Sequence, residues 1–281
     1  MLLNNWMKNI GDDRSLQDLN IPGTHDSSTK YCRFSLFSSC QNKSISEQLG
    51  IGVRVFDIRV DKMTLCHSFC KCRKSLFGRI LTLNDVIGDM LSFLEENPSE
   101  TILMFFKMDN GDNSALCFQL LYDNFIKTNP DKWYLENKIP TLGEVRGKIV
   151  LLKRADAQHE KSGIDFNAMP YQGSTKEYCW EAFSPNGEDN VIIQDRYMLT
   201  RKKKWEKAVK PLLEAGEGLK GCMIFNFLSS AGVPLIPRFN SGHINRKFSK
   251  YTLKKGNFYG VLMFDFVNKK LIRKLIETNK L

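Results

Sequence analysis

The sequence predicts an α/β protein folded as a single, irregular (β/α)8-type barrel. Three observations carry this expectation. Strand-like and helix-like apolar segments alternate along 281 residues. The strand-like runs number about eight, the count such a barrel needs. Several of those runs also finish in a polar or charged residue, as barrel strands do where they reach the catalytic rim.

Taken in order, the strand candidates are 18–23, 53–59, 63–68, 101–107, 148–154, 190–195, 222–228 and 259–266. Helical patterns fall at 44–50, 81–96, 113–128, 202–216 and 269–280. The helix at 81–96 places Leu83, Val86, Ile87, Met90, Leu91 and Leu94 at helical spacing, and Asn97-Pro98 ends it. Side chains alternate along a strand, so residues two apart share a face. Asp57 and Arg59 therefore share the face of Val53 and Val55, His67 that of Leu65, Lys107 that of Phe105, and Arg154 that of Leu152. Asp195 lies on the Ile193 face with Tyr197, and Asp265 on the Met263 face. One such ending is a strand reaching solvent; six converging are expected to build a site. Some strand connections show no clear helix, and no internal repeat or low-complexity linker marks a domain break, so residues 1–281 are read as one domain.

Composition narrows the function. At 42% hydrophobic the chain can fill a large core, and its apolar runs stay far below the roughly 20 residues of a membrane span. The N-terminus has no long apolar stretch, so no signal peptide is visible. The expected location is thus cytoplasmic, or secreted if a signal was removed ahead of residue 1. The formal charge of +10 favours an anionic partner such as nucleic acid or an anionic membrane. No helix-turn-helix, zinc-finger or aromatic RNA-binding signature accompanies it, so nucleic acid is not expected. The densest basic run, Arg201-Lys202-Lys203-Lys204, opens an amphipathic helix and reads equally well as a solvated face. Eight cysteines form no small-scaffold framework in a chain this long. The run Cys66, Cys70, Cys72 is compatible with a metal or a disulfide. It lacks a second ligand pair at zinc-finger spacing, and free thiols are the simpler reading.

The chemistry concentrates in Ile21-Pro-Gly-Thr-His-Asp-Ser27 and in Gly52-Val-Arg-Val-Phe-Asp-Ile-Arg59, followed by Leu65-Cys-His-Ser68. Two histidines, two carboxylates and an arginine are an inventory for acid–base chemistry on a phosphate ester without a metal. One histidine takes a proton, the other gives one, and the guanidinium holds the phosphoryl oxygens.

These motifs resemble those of bacterial phosphatidylinositol-specific phospholipase C, the X-domain family. The resemblance runs from about Trp6 to the C-terminus and includes Asn97-Pro-Ser-Glu-Thr-Ile-Leu-Met104, Arg146-Gly-Lys-Ile-Val-Leu-Leu-Lys-Arg154, Gln194-Asp-Arg-Tyr197 and Asp265-Phe-Val-Asn268. It implies a distorted TIM barrel. The implied activity is a phosphatidylinositol diacylglycerol-lyase, releasing diacylglycerol and inositol 1,2-cyclic phosphate with no cofactor or metal. By the same resemblance His25 is the general base with Asp265 holding its ring, and His67 is the general acid helped by Asp26. Arg59 binds the phosphate and Asp57 orients the cluster. Lys107, Arg154, Asp195 and Tyr197 match positions that hold the inositol ring, Tyr197 by stacking. The implied partner is phosphatidylinositol in a membrane, met by a peripheral monomer. Rim segments would touch the bilayer through Tyr31, Phe34 and Phe37, and through Val233, Leu235, Ile236 and Phe239, with no tryptophan in either. The basic, aromatic stretch Phe69–Ile80 offers an additional contact with anionic lipid. Two rival readings are an inactive inositol-lipid-binding barrel and a glycerophosphodiester phosphodiesterase. The first is disfavoured because every catalytic position is filled. The second needs a carboxylate cluster for a metal, where Arg59 stands instead.

Overall fold

Seven apolar runs align side by side as parallel strands in the computed structural model, which describes residues 2–32, 35–109, 113–173 and 179–279. The strands in chain order are β1 (Ile21–Thr24), β2 (Val55–Asp61), β3 (Thr64–His67), β4 (Cys70–Lys71), β5 (Ile102–Met108) and β6 (Trp133–Tyr134). They continue with β7 (Ile149–Arg154), β8 (Ile164–Asp165), β9 (Glu181–Phe183), β10 (Val191–Gln194), β11 (Met223–Phe227) and β12 (Val261–Phe264). The sheet runs β7-β5-β2-β1-β12-β11-β10, all parallel, and curls around a core. Short β6 and β8 flank β7 in parallel, and β9 closes the far edge antiparallel to β10. Ile-Leu-Met-Phe-Phe in β5 and Ile-Val-Leu-Leu in β7 are buried on both faces, as parallel strands covered by helices must be.

The helices lie outside the sheet: α1 (Ser35–Ser38), α2 (Ile45–Gly50), α3 (Leu83–Glu96), α4 (Ser114–Leu121), α5 (Leu142–Val145), α6 (Arg201–Lys204), α7 (Lys210–Ala215), α8 (Pro237–Lys250) and α9 (Lys269–Ile276). In α3 the predicted apolar stripe is the buried one: Leu83, Val86, Ile87, Met90 and Leu94 face the sheet. The α9 helix starts at Asn268, whose side chain accepts from the backbone N–H groups of Lys270 and Leu271. It buries Leu271, Ile272, Leu275 and Ile276 and stops at 276, short of the predicted 280.

Short elements β4, β6, β8, β9, α1 and α5 were not predicted, and two further differences from the sequence reading bear on the site. The segment 63–68 is a strand, but β3 pairs antiparallel with β2 and β4, so it is a hairpin raised from the rim and not a barrel stave. Its alternation resembles a stave; the tight turn at Asp61–Met63, with Lys62 at φ 55°, decides otherwise. The helix α8 also went unpredicted, because its sequence is mostly polar and only Asn240, Ser241, Ile244 and Phe248 are buried.

Close packing positions the site. A Cβ on Gly23 of β1 would lie 2.4 Å from the Met263 sulfur and 2.9 Å from Val55 Cβ, so glycine lets β1 sit tightly between β2 and β12. Below the rim, Phe105, Phe166 and Phe225 meet edge to face with centroids 5.0 to 5.5 Å apart and fill the interior. Strand register then stacks side chains in layers. Asp57 lies level with Phe105 and Leu152, and one layer higher Arg59 lies level with Lys107 and Arg154. At the opposite end, buried Arg54 and Glu100 pair at 2.8 Å, and Arg54 also donates to the carbonyls of Leu49, Val53 and Asn4. Removing either partner would leave a buried charge uncompensated, at about 3–5 kcal/mol.

Candidate active site

The rim gathers its polar residues from strand ends and the β3 hairpin. His25 and Asp26 follow β1, Asp265 follows β12, Asp195 follows β10, and His67 ends β3. The six residues predicted as catalytic meet in one connected cluster. His25 Nδ1 lies 2.9 Å from Asp265 Oδ1, and His25 Nε2 lies 3.2 Å from Asp26 Oδ2. The same Asp26 oxygen lies 3.3 Å from His67 Nε2. His67 Nδ1–H donates to the Ser38 carbonyl at 2.7 Å, which fixes its ring and leaves Nε2 pointing inward. One carboxylate oxygen therefore stands between two imidazoles.

Arg59 is held from three sides. Its guanidinium lies 3.0 Å from Asp26, 2.8 Å from Asp57 and 3.7 Å from Asp109. Asp57 accepts twice from Arg59 and once from the backbone N–H of Asp26. Burial alone would push the Asp57 carboxyl up; Arg59 and His25 outweigh it and hold it well below the usual carboxylate range. Asp109 is likewise pushed up by burial but held low by Arg59 and Lys107.

His25 shows the opposite balance. Burial opposes its positive charge, yet Asp26 and then Asp265 win and raise it to about 9. Its two ring nitrogens thus face Asp26 and Asp265, both of which favour the protonated ring. For Asp265 burial dominates and pushes its carboxyl up, against the pull of His25.

The four residues predicted to hold the inositol ring line the same mouth. Lys107 pairs with Asp109 at 2.8 Å. Arg154 is partly buried, which lowers it, and it feels Asp57, Arg59, Asp195 and Asp109. Asp195 is pushed up by burial against the pull of Lys204, His25, Arg59 and Arg154. The Tyr197 hydroxyl bonds that of Tyr171, their rings 6.0 Å apart and edge on. Burial and that bond push Tyr197 up to about 12.

Comparison with known proteins decides the family. The model of the phosphatidylinositol-specific phospholipase C X domain matches residues 19–155. A 1-phosphatidylinositol phosphodiesterase of Staphylococcus aureus strain Newman is 30% identical over 98% of this chain and 94% of its own length. The chain belongs to the phosphatidylinositol-specific phospholipase C family. A 1-phosphatidylinositol phosphodiesterase of Listeria monocytogenes is 28% identical over 98% of this chain and 84% of the relative. Among solved structures, phosphatidylinositol-specific phospholipases C from S. aureus and L. monocytogenes superpose with TM-scores of 0.83 and 0.81. Both are 26% identical and cover this chain completely, over 98% and 100% of their own chains.

Within this phospholipase C-type site, three contributors escaped the sequence reading. Asp109 lies two residues beyond Lys107, a spacing at which alternation alone would have put it on the same face. The Ser38 carbonyl carries no signal in sequence. Cys40 is buried with its sulfur 3.8 Å from Asp26 Oδ2, and burial pushes its thiol well up. His25, Asp26 and Cys40 are the described residues nearest to a metal-ligand set, with ligand atoms within 4.8 Å of one another. The negative charge that would draw a cation there is already paired with Arg59 and the histidines. His159 stacks on Tyr122 at 3.6 Å and takes no part in the cluster.

The predicted rim residues divide. Phe37, Val233, Leu235 and Phe239 are 59%, 74%, 58% and 53% exposed. The α1 and α8 segments that carry or border them pack together. Arg201 lies over the Phe239 ring at 4.1 Å. Ile236 is half-buried at the start of α8, and Tyr31 is half-buried with the Lys30 ammonium 5.2 Å from its ring centroid. Phe34 lies outside the described residues. Among the described residues no helix is long and apolar enough to cross a membrane.

Proposed function

We propose that this chain cleaves phosphatidylinositol by general acid–base catalysis, with no metal in the phosphate site. The observation that carries the proposal is the shared Asp26 oxygen, which lies within 3.3 Å of both imidazoles while Asp26 also holds Arg59. In the first step His25, once deprotonated, takes the proton of the inositol 2-hydroxyl as it attacks phosphorus. His67 gives a proton to the departing diacylglycerol oxygen. The product is a 1,2-cyclic phosphate, which water then opens with the roles reversed. Arg59 offers the phosphoryl oxygens a planar, permanently charged fork. Each proton transfer supplies about 10²–10⁴-fold. Lys107, Arg154 and Asp195 would bind the ring hydroxyls, and Tyr197, at the mouth, would cover the ring.

The headgroup must be lifted from a bilayer, so we assign the exposed face of Phe37, Val233, Leu235 and Phe239 to peripheral membrane contact. The net charge of +10 supports attraction to anionic lipid. Phosphorus NMR of phosphatidylinositol vesicles tests substrate, product and metal independence together. The expected result is a cyclic phosphodiester signal that forms at the same rate with and without EDTA. Direct release of inositol 1-phosphate without the cyclic species, or a rate abolished by EDTA and restored by calcium, would overturn the mechanism.

A further inference from the structure

We infer that Cys32 and Cys72 form a reversible disulfide that ties together the two walls of the catalytic cleft. Their sulfurs lie 3.2 Å apart and both residues are buried. The backbone already pairs them as an antiparallel bridge between the segment after His25 and the hairpin that carries His67. The flanking hydrogen bond runs from Arg73 N–H to the Tyr31 carbonyl, which makes Cys32 and Cys72 a non-hydrogen-bonded pair. In that kind of pair the Cα atoms approach to about 4.5 Å and the side chains meet most closely. This separation falls within the range that a disulfide spans, so a small side-chain rotation closes the bond without moving the backbone.

The other hairpin cysteines lack this arrangement. Register sets Cys66 opposite Lys71 and Cys70 opposite His67, not opposite each other. The Cys72 thiol is also unusual. Its hydrogen bond to Cys32, and then burial, push it far above the ordinary thiol range. A thiol of that kind yields little thiolate at neutral pH, so the bond forms and exchanges slowly.

A small-molecule disulfide such as oxidised glutathione balances the step. One protein thiolate attacks its S–S bond, forming a mixed disulfide and releasing one glutathione. The second protein thiolate displaces the other glutathione and closes the bond between Cys32 and Cys72. Two protein thiols lose two electrons, the oxidant gains them, and the two thiol protons leave with the two glutathiones. The closed loop runs from 32 to 72 and contains β2 with Arg59. Closing it favours the arrangement of His25, Asp26, Arg59 and His67 already seen, and leaves the chemistry unchanged.

The test incubates the full chain with oxidised glutathione or with a phosphine reductant. It then counts thiols under denaturing conditions, measures intact mass and maps linked peptides. Of eight thiols, two should disappear on oxidation, with the loss of two hydrogen masses and one linked peptide joining Cys32 to Cys72. The thermal midpoint should rise by about 5 °C, the scale of a favourable disulfide in a chain of this size. Turnover of a soluble substrate below the transition should stay the same. Cys32→Ser and, separately, Cys72→Ala should each abolish the thiol loss and the rise. A link between another pair, a stable glutathione adduct, or eight thiols surviving oxidation of the unvaried chain would overturn the inference.

Discussion

Replacing Arg59 by lysine tests the proposed phosphate site, because it separates charge from shape. The guanidinium touches Asp26 and Asp57 at 3.0 and 2.8 Å and reaches Asp109 at 3.7 Å. All three carboxylates are buried, and Arg59 itself is 16% exposed at the side chain. An ammonium at position 59 keeps the neutralising charge, so the fold should change by no more than about 1 kcal/mol. It cannot face two carboxylates and still present two parallel donors to a phosphate. The loss should resemble that of one oxyanion donor, about 10²–10³-fold in kcat, or roughly 3–4 kcal/mol of barrier. Arg59→Ala should behave differently. It strands the buried carboxylates and should cost about 3–5 kcal/mol of stability as well as activity. The assay is kcat and KM on a soluble short-chain phosphatidylinositol, with a thermal melt of each variant beside the wild type. An Arg59→Lys enzyme within threefold of wild-type kcat would show that the fork is not used on the phosphate. Equal melting of the lysine and alanine variants would refute the electrostatic reading of the cluster.

Four further outcomes follow from the same geometry. His25→Ala should lose most turnover on every substrate. His67→Ala should recover partly when the leaving group is activated and needs no proton; equal losses on both substrates would contradict this division of labour. Because His25 is raised to about 9, kcat/KM should climb with pH until that proton is lost, and Asp265→Asn should shift this limb to lower pH, an unmoved limb counting against the assignment. A folded histidine that binds its proton more tightly than the unfolded chain stabilises fully below about pH 6.5 and loses that contribution as pH rises through about 9, so thermal melts should fall across this window and flatten in Asp265→Asn. Finally, replacing Val233, Leu235 and Phe239 together by serine should weaken vesicle binding at high salt, where apolar insertion persists and charge attraction is screened, while sparing a soluble substrate. Unchanged vesicle binding would move the membrane contact to the Phe69–Ile80 hairpin, where Phe69 and Phe77 are 80% and 94% exposed.

The parallel strands were legible because β2, β5, β7, β11 and β12 are short apolar runs bounded by turn residues, and the alternation within β2 put Asp57 and Arg59 on one face. The helices α3 and α9 were legible because their apolar positions recur at helical spacing. What stayed hidden was set by tertiary pairing. Nothing local in Thr64–His67 says that it folds back on β2, since a hairpin arm and a barrel stave share the same period of two. The largely polar α8 buries Asn240, Ser241, Ile244 and Phe248, and only the last two are apolar, too sparse for a stripe. At the site, histidine and arginine announce themselves by residue type. Asp109 and the Ser38 carbonyl matter only through what the fold brings near them. Cys32 and Cys72 are forty positions apart and carry no spacing signal at all.

The backbone around the cluster explains why those contributors belong to one unit. Among the described residues, four other than glycine adopt a left-handed conformation, and three of them directly follow His25, His67 and Asp265: Asp26 at φ 44°, Ser68 at φ 50° and Phe266 at φ 48°. Such conformations cost of order 1 kcal/mol or more and persist where the surroundings over-determine them. Here each turns its N–H toward a structural partner. Asp26 N–H donates to Asp57 at 3.1 Å and Ser68 N–H to Asp109 at 3.0 Å, and those two carboxylates flank Arg59. Phe266 N–H donates to the Cys40 carbonyl, next to Gln41, whose side chain donates to the carbonyls of His25 and Phe264. The turn after each histidine is thus fastened to a carboxylate that also fixes the guanidinium. The proton donor, the proton acceptor and the phosphate-binding charge cannot shift independently, and in-line displacement at a single phosphorus requires that all three stay in register.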